Sequence, residues 1–171
     1  MPGRTYKIAN FAMVTTAAPV AVGLVAATIK TLLQVQVSAA TPLLIVEWGI
    51  DFDASALAAP VKVELIDTFA IAATVTAHVA AGVQPFSDPG APALDVVLGV
   101  SATGFSASAE GTITQTRSLD THLIDPVNNW AWQWPEGREP QVPVSRNLRI
   151  RANSPGAVNA LCYVIVGPQG A

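Results

Sequence analysis

Leu43-Leu44-Ile45-Val46-Glu47-Trp48-Gly49-Ile50-Asp51-Phe52-Asp53 is the stretch on which the fold turns. Leu44, Val46, Trp48, Ile50 and Phe52 alternate with Glu47, Gly49, Asp51 and Asp53. Successive side chains of an extended backbone point to opposite faces, so an apolar set at every second position reads as a strand laid on a core. The same period recurs on either side of this stretch. Ile29, Thr31, Leu33, Val35 and Val37 face away from Lys30, Gln34 and Gln36. Val61, Val63 and Leu65 alternate with Lys62 and Glu64, and Leu148 and Ile150 alternate with Arg149 and Arg151. Residues Ala157 to Val166 are apolar on both faces, as in a strand covered from both sides.

Further strands are predicted around residues 6–15, 73–79, 94–101, 111–119 and 130–134. Another is predicted near 20–27, where the alanines would also suit a short helix. Ala40-Thr41-Pro42 and Ala58-Ala59-Pro60 read as bends, because proline has no N–H to offer a ladder. Pro85, Pro89, Gly90 and Pro92 mark a loop near 81–93, and Pro126, Pro135, Pro140 and Pro143 mark an irregular region near 124–145. A helical period never persists beyond about two turns, and no repeat of solenoid or propeller length is present. The expectation is an all-β chain: a single β-sandwich, jelly-roll-like, of about eight to ten antiparallel strands. Residues 1–20 are expected as an N-terminal arm or first strand, and residues 21–171 as the sandwich.

A chain of 171 residues can bury one sizeable core without disulfides or metals. Apolar residues make up 51% and charged residues only 12%, where about a quarter is usual. Such a surface is expected to be covered in part by other subunits. The net charge of −3 argues against nucleic acid as a partner, since phosphates need clustered cations. The densest basic group, Arg146, Arg149 and Arg151, has Glu136 and Glu139 just upstream. The one cysteine, Cys162, cannot close an intrachain disulfide. No charge occurs from Ile8 to Ile29, after Arg4 and Lys7, but Asn10, Thr15, Thr16, Pro19 and Gly23 interrupt the run. Two short strand-like pieces are favoured there over a signal peptide or membrane span.

Glu47, Asp51 and Asp53 share a strand face and could offer oxygens to a hard cation. Calcium ligands, however, usually gather in one tight loop, so a solvated face without metal is expected. His78 and His122 are the only histidines, and His122 has Asp120 and Asp125 nearby. No Gly-x-Ser-x-Gly elbow, His-Glu-x-x-His pair or Cys/His cluster accompanies either, and Gly104-Phe105-Ser106-Ala107 makes no elbow. Cys162 lies in the most apolar strand, where a thiol is packing. With no glycine-rich phosphate loop either, neither an enzyme nor a cofactor is expected.

Trp130, Trp132 and Trp134 would share one strand face, with Ala131 and Gln133 on the other. Such a row either stacks on sugar rings from an exposed surface or packs against a second sheet or a neighbouring subunit. The segment Pro135-Glu136-Gly137-Arg138-Glu139-Pro140 reads as a rigid loop beside it. The candidate interface residues are Trp130, Trp132, Trp134, Arg138, Tyr6 and Phe11, drawn from this region and from the N-terminal segment Arg4 to Thr16.

The C-terminal half runs Trp132-Gln133-Trp134-Pro135, Gly137-Arg138-Glu139-Pro140, Val142-Pro143 and Asn147-Leu148-Arg149-Ile150-Arg151, then Val158-Asn159-Ala160-Leu161-Cys162-Tyr163-Val164. With Leu43 to Ile50, this resembles capsid decoration (cement) proteins and related minor head proteins of tailed actinobacterial phages, over residues 28–166. The resemblance implies a homotrimer on the capsid exterior, made in the host cytoplasm and clamping the major capsid protein, with no nucleic acid or membrane partner. A carbohydrate-binding module using the tryptophan row, or another virion component such as a head-fibre or tail protein, are the alternatives.

Overall fold

The computed structural model describes residues 3–53 and 59–170, which build an all-β sandwich of two seven-stranded antiparallel sheets. From edge to edge the first sheet runs β11 (Trp130–Gln133), β4 (Leu43–Phe52), β14 (Val158–Pro168), β1 (Tyr6–Ala9) and β7 (Val83–Pro85). Within it β12 (Gln141–Val142) also pairs with β4, and β2 (Val22–Leu24) with β14. The second sheet runs β10 (Arg117–Ile124), β5 (Val61–Asp67), β13 (Asn147–Asn153), β3 (Ile29–Val37), β9 (Gly104–Ala109) and β6 (Thr74–Ala77), with β8 (Val96–Val97) also on β3. The chain passes from sheet to sheet between β3, β4 and β5 and again between β13 and β14, the jelly-roll-like crossing expected. The fourteen strands among the described residues exceed the eight to ten expected; β2, β7, β8 and β12 are only two or three residues long, too short to show a period of two.

The inner faces meet in one core that includes Ile8, Val35, Ile45, Trp48, Val63, Leu65, Ile150 and Val164. Full burial of each such aliphatic side chain contributes about 1.5–3 kcal/mol. Two β-bulges decide which residues reach it. On β4, Glu47 stands opposite Ile165 and Ile45 opposite Val166, leaving Val46 as an extra residue. One extra residue flips the side-chain phase. Leu43 and Ile45, not Leu44 and Val46, therefore share the core with Trp48 and Ile50. On β3, Leu33 faces Ile150 and Thr31 faces Arg151, so Leu32 is extra. Leu32 joins Leu33, Val35 and Val37 inside, and Thr31 turns to the outer side.

That outer side of the second sheet is not open to water. Gln34 bonds the Ala73 N–H (2.7 Å) and the Ala102 carbonyl (2.6 Å), tying down the chain above the sheet, where Ala73, Val75 and Ala107 form a small apolar cluster. Arg149, fully buried beside it, donates to the carbonyls of Ile71 and Glu110. The Glu110 carboxylate lies 3.4 Å from the guanidinium and accepts from Thr31 N (2.5 Å) and Oγ1 (2.6 Å). Burial lowers the Arg149 pKa to about 10, and Glu110 opposes the fall. Sequence reading places Arg149 on a wetter face; it instead anchors a covering layer, because two carbonyls and a carboxylate replace its water.

The N-terminal residues take the first-strand role. β1 pairs with β14 on one side and β7 on the other. Tyr6 is only 2% exposed and its hydroxyl donates to the Pro92 carbonyl at 2.6 Å. As an interface candidate Tyr6 is therefore corrected: its own fold seals it. Removing residues 1–16 would take out an internal strand, not a free arm. After β1, residues 11–21 form no strand and are mostly exposed. Two other segments also differ from expectation. The strand placed at 111–119 lies at 117–124, and β9 occupies 104–109, where none was predicted.

Arg149→Ala should lower the unfolding free energy by about 3 kcal/mol, the low end for breaking a buried pair, since Glu110 is partly wetted. Arg149→Lys should recover less than half, because one ammonium cannot span both carbonyls and the carboxylate. Urea denaturation monitored by far-UV circular dichroism measures both; an Arg149→Ala loss under about 1 kcal/mol would contradict the anchoring role.

Candidate functional site at the aromatic edge

Residues facing one another across a ladder point to the same side of the sheet. Trp132 faces Trp48 and Trp130 faces Ile50, and both partners belong to the core. The tryptophan row therefore occupies the inner face of edge strand β11, with Ala131 and Gln133 outside. On β10, the edge strand of the other sheet, Ser118 faces Ile66 and Asp120 faces Leu65, so Leu119 is a bulge residue. Beyond it Asp120, His122 and Ile124 stand opposite Leu65, Val63 and Val61, all core residues. A carboxylate and an imidazole thus project inward from one edge, towards three indoles projecting from the other.

The groups interlock. The fully buried Trp48 donates Nε1–H to Asp120 Oδ2 at 3.0 Å. Thr121 N–H donates to Asp120 Oδ1 at 3.0 Å. His122 Nε2 lies 2.7 Å from the same oxygen but without hydrogen-bond alignment. The His122 ring sits 3.8 Å from Trp130 and 6.2 Å from Trp48, centroid to centroid. Trp130 and Trp132 are nearly parallel, 12° apart, with centroids separated by 6.5 Å. Trp130 Nε1 is buried with no hydrogen-bond partner, whereas Trp132 is 45% exposed. Leu119, Asp120, His122, Trp130, Trp132 and Trp134 line an open cleft of about 240 Å³.

The other sequence-derived candidates lie elsewhere. Glu47, Asp51 and Asp53 do share the outer face of the first sheet, but two of them are engaged. Tyr163 donates to Glu47 Oε1 at 2.5 Å, its ring crossing Gly49 so closely that a Cβ there would sit 2.6 Å from Cε1. Asn159 donates its backbone and side-chain N–H to Asp53 at 2.9 and 2.8 Å, holding that carboxyl below its ordinary range. Among the described residues, no group of three His, Cys, Asp or Glu side chains is placed to hold a metal. Asp125 accepts from Val127 N–H within a turn. Cys162 is buried and its thiol pKa is pushed up by that burial. Arg138 is exposed in a turn closed by its N–H to the Pro135 carbonyl, outside the cleft lining. Phe11, half-buried, lines a separate cleft with Met13, Val14 and Val20.

His78 belongs to β6's end, not to the aromatic edge. It is buried, with Nε2 2.8 Å from the Ala9 carbonyl and its ring 4.9 Å from Phe105. This bond joins the two sheets. No hydroxyl or thiol among the described residues is hydrogen-bonded to His122, and Ser118 and Thr121 contact each other at 3.4 Å. The cleft brings aromatic faces together with a carboxylate and an imidazole. Asp120's bond to Trp48 and the entry of Leu119 into the cleft escaped sequence reading, because both depend on the bulge.

Burial lowers the His78 pKa from 6.5, and the Ala9 bond only partly opposes this. A lowered folded-state pKa means that the unfolded chain takes up the proton first. The stabilising contribution is complete above the unfolded value of about 6.5 and is lost as pH falls towards the folded value. The melting temperature should hold between about pH 8 and 7 and decline as pH falls below about 6.5. His78→Gln, which keeps a donor for Ala9, should flatten that decline; an unchanged slope would assign it to another group.

The aromatic edge must carry its functional reading on its own geometry: no protein-family model, curated protein or solved structure matches this chain.

Proposed function

We propose that this chain is a virion structural subunit, a capsid decoration protein that acts by assembling as a trimer and binding the major capsid protein from outside the shell, not by catalysis. The observation that carries the reading is an uncharged, outward-facing segment on a charge-poor surface. Residues 11–21 carry no charge and run along the seam where β6 and β9 approach β1 and β2. Val20 is 77% exposed there, with Met13 and Val14 also exposed, and Val25, just beyond β2, is 70% exposed. A contiguous apolar surface of this kind is costly in water and is normally covered by a partner. A closed cyclic oligomer covers it with copies of the same chain, and a charge-poor rim suits a second contact with a protein lattice. Nucleic acid is disfavoured by the net charge of −3. Among the described residues no helix is long and apolar enough to cross a membrane.

Light scattering after size exclusion should return three times the 17.7 kDa chain mass. Val20→Asp, a change at an exposed position, should shift that mass to the monomer while leaving the far-UV circular dichroism spectrum of the folded chain unchanged. A wild-type monomer at micromolar concentration, or a trimer indifferent to Val20→Asp, would reject this mode of assembly. A trimer that fails to bind empty heads of tailed actinobacterial phages would reject the decoration role.

A further inference from the structure

The cleft between β10 and β11 lies on the opposite side of the sandwich from the seam at residues 11–21, and the assembly reading makes no use of it. We infer that it is a binding site for a single neutral pyranose ring, with Trp132 as the stacking platform. Three features combine. First, Trp132 is held half-exposed and parallel to Trp130 on a strand whose register is fixed by the Trp132–Trp48 pairing. A rigid indole face with its negative π cloud attracts the weakly positive C–H bonds on the apolar face of a sugar. Second, polar groups accompany that face in the cleft lining. Trp130 Nε1–H and His122 Nε2, both screened from solvent, have no hydrogen-bond partner. Asp120 and His122 line the same cleft and accept or donate to the sugar's hydroxyls. Third, the cleft measures about 240 Å³, below the roughly 300–1,000 Å³ of pockets for drug-sized ligands, which matches one ring.

The same features discriminate among ligand classes. An anionic sugar would meet Asp120. A cation would prefer bare π faces and a free carboxylate, yet Asp120 is already bonded by Trp48 and Thr121. A neutral polyol with an apolar face uses both the platform and the Asp120 and His122 lining. Trp132→Ala removes the platform alone, because the Trp48–Asp120 bond and the His122–Trp130 contact remain.

All four tryptophans of the chain, Trp48, Trp130, Trp132 and Trp134, belong to this cluster, so intrinsic emission reports on this site alone. The full chain is titrated with methyl β-D-glucopyranoside, methyl β-D-galactopyranoside, cellobiose and lactose up to about 100 mM, above the millimolar affinities typical of so small a contact. The expected result is a saturable emission change for at least one glycoside, weakened by about tenfold or more in Trp132→Ala at unchanged melting temperature. No saturable change with any of them, an equal change in Trp132→Ala, or a response to tetramethylammonium chloride in place of the glycosides would overturn the assignment. A fall in oligomer mass in Trp132→Ala without any glycoside response would instead make this edge a subunit contact.

Discussion

Two sheets pack only where the strands offer each other apolar faces, and two strands of this chain meet that demand by carrying one extra residue. Without the bulge at Val46, one half of β4 would turn its large side chains away from the core. The bulge at Leu32 does the same for β3. The bulge at Leu119 has a different result: it sends Asp120 and His122 inward with the core residues of β5. Each insertion breaks one step of the hydrogen-bond ladder, a cost outweighed by several buried aliphatic side chains.

A second constraint follows from covering the outer face of one sheet with irregular chain. Loops laid over a sheet bring unpaired carbonyls and N–H groups with them, and these need partners. Gln34, Arg149 and Glu110 supply the partners from the sheet side and the loop side. The layer is thus held by directional polar contacts, while Ala73, Val75 and Ala107 add only a small apolar cluster. Buried polar networks of this kind fix geometry strictly because each member left alone is costly.

The two open sides of the sandwich are closed by different chemistry. On one, an uncharged stretch runs along the seam with its valines outward, the surface that the proposed assembly would cover. On the other, indoles from β11 interlock with a carboxylate and an imidazole from β10, which fills the gap between edge strands yet leaves Trp132 accessible. The proposed assembly surface and the proposed ligand cleft are thus separate faces of one small domain.

Much of the architecture was legible in the amino-acid order, because period-two alternation follows from backbone geometry alone. It located β3, β4, β5, β13 and β14, and with them the sandwich class. It also put Trp130, Trp132 and Trp134 on one face of one strand. It could not tell which face, since inside and outside are defined only by the strand lying opposite. Tyr6 looked available until β14 and β7 enclosed it, and Arg149 looked solvated until Ile71 and Glu110 came over it. β10 escaped because its inward residues Asp120 and His122 are polar and its outward Leu123 is apolar, the reverse of the usual pattern. Local alternation thus determined the strands; the phase shifts at the bulges and the meeting of two distant edges, both properties of paired strands, determined the site.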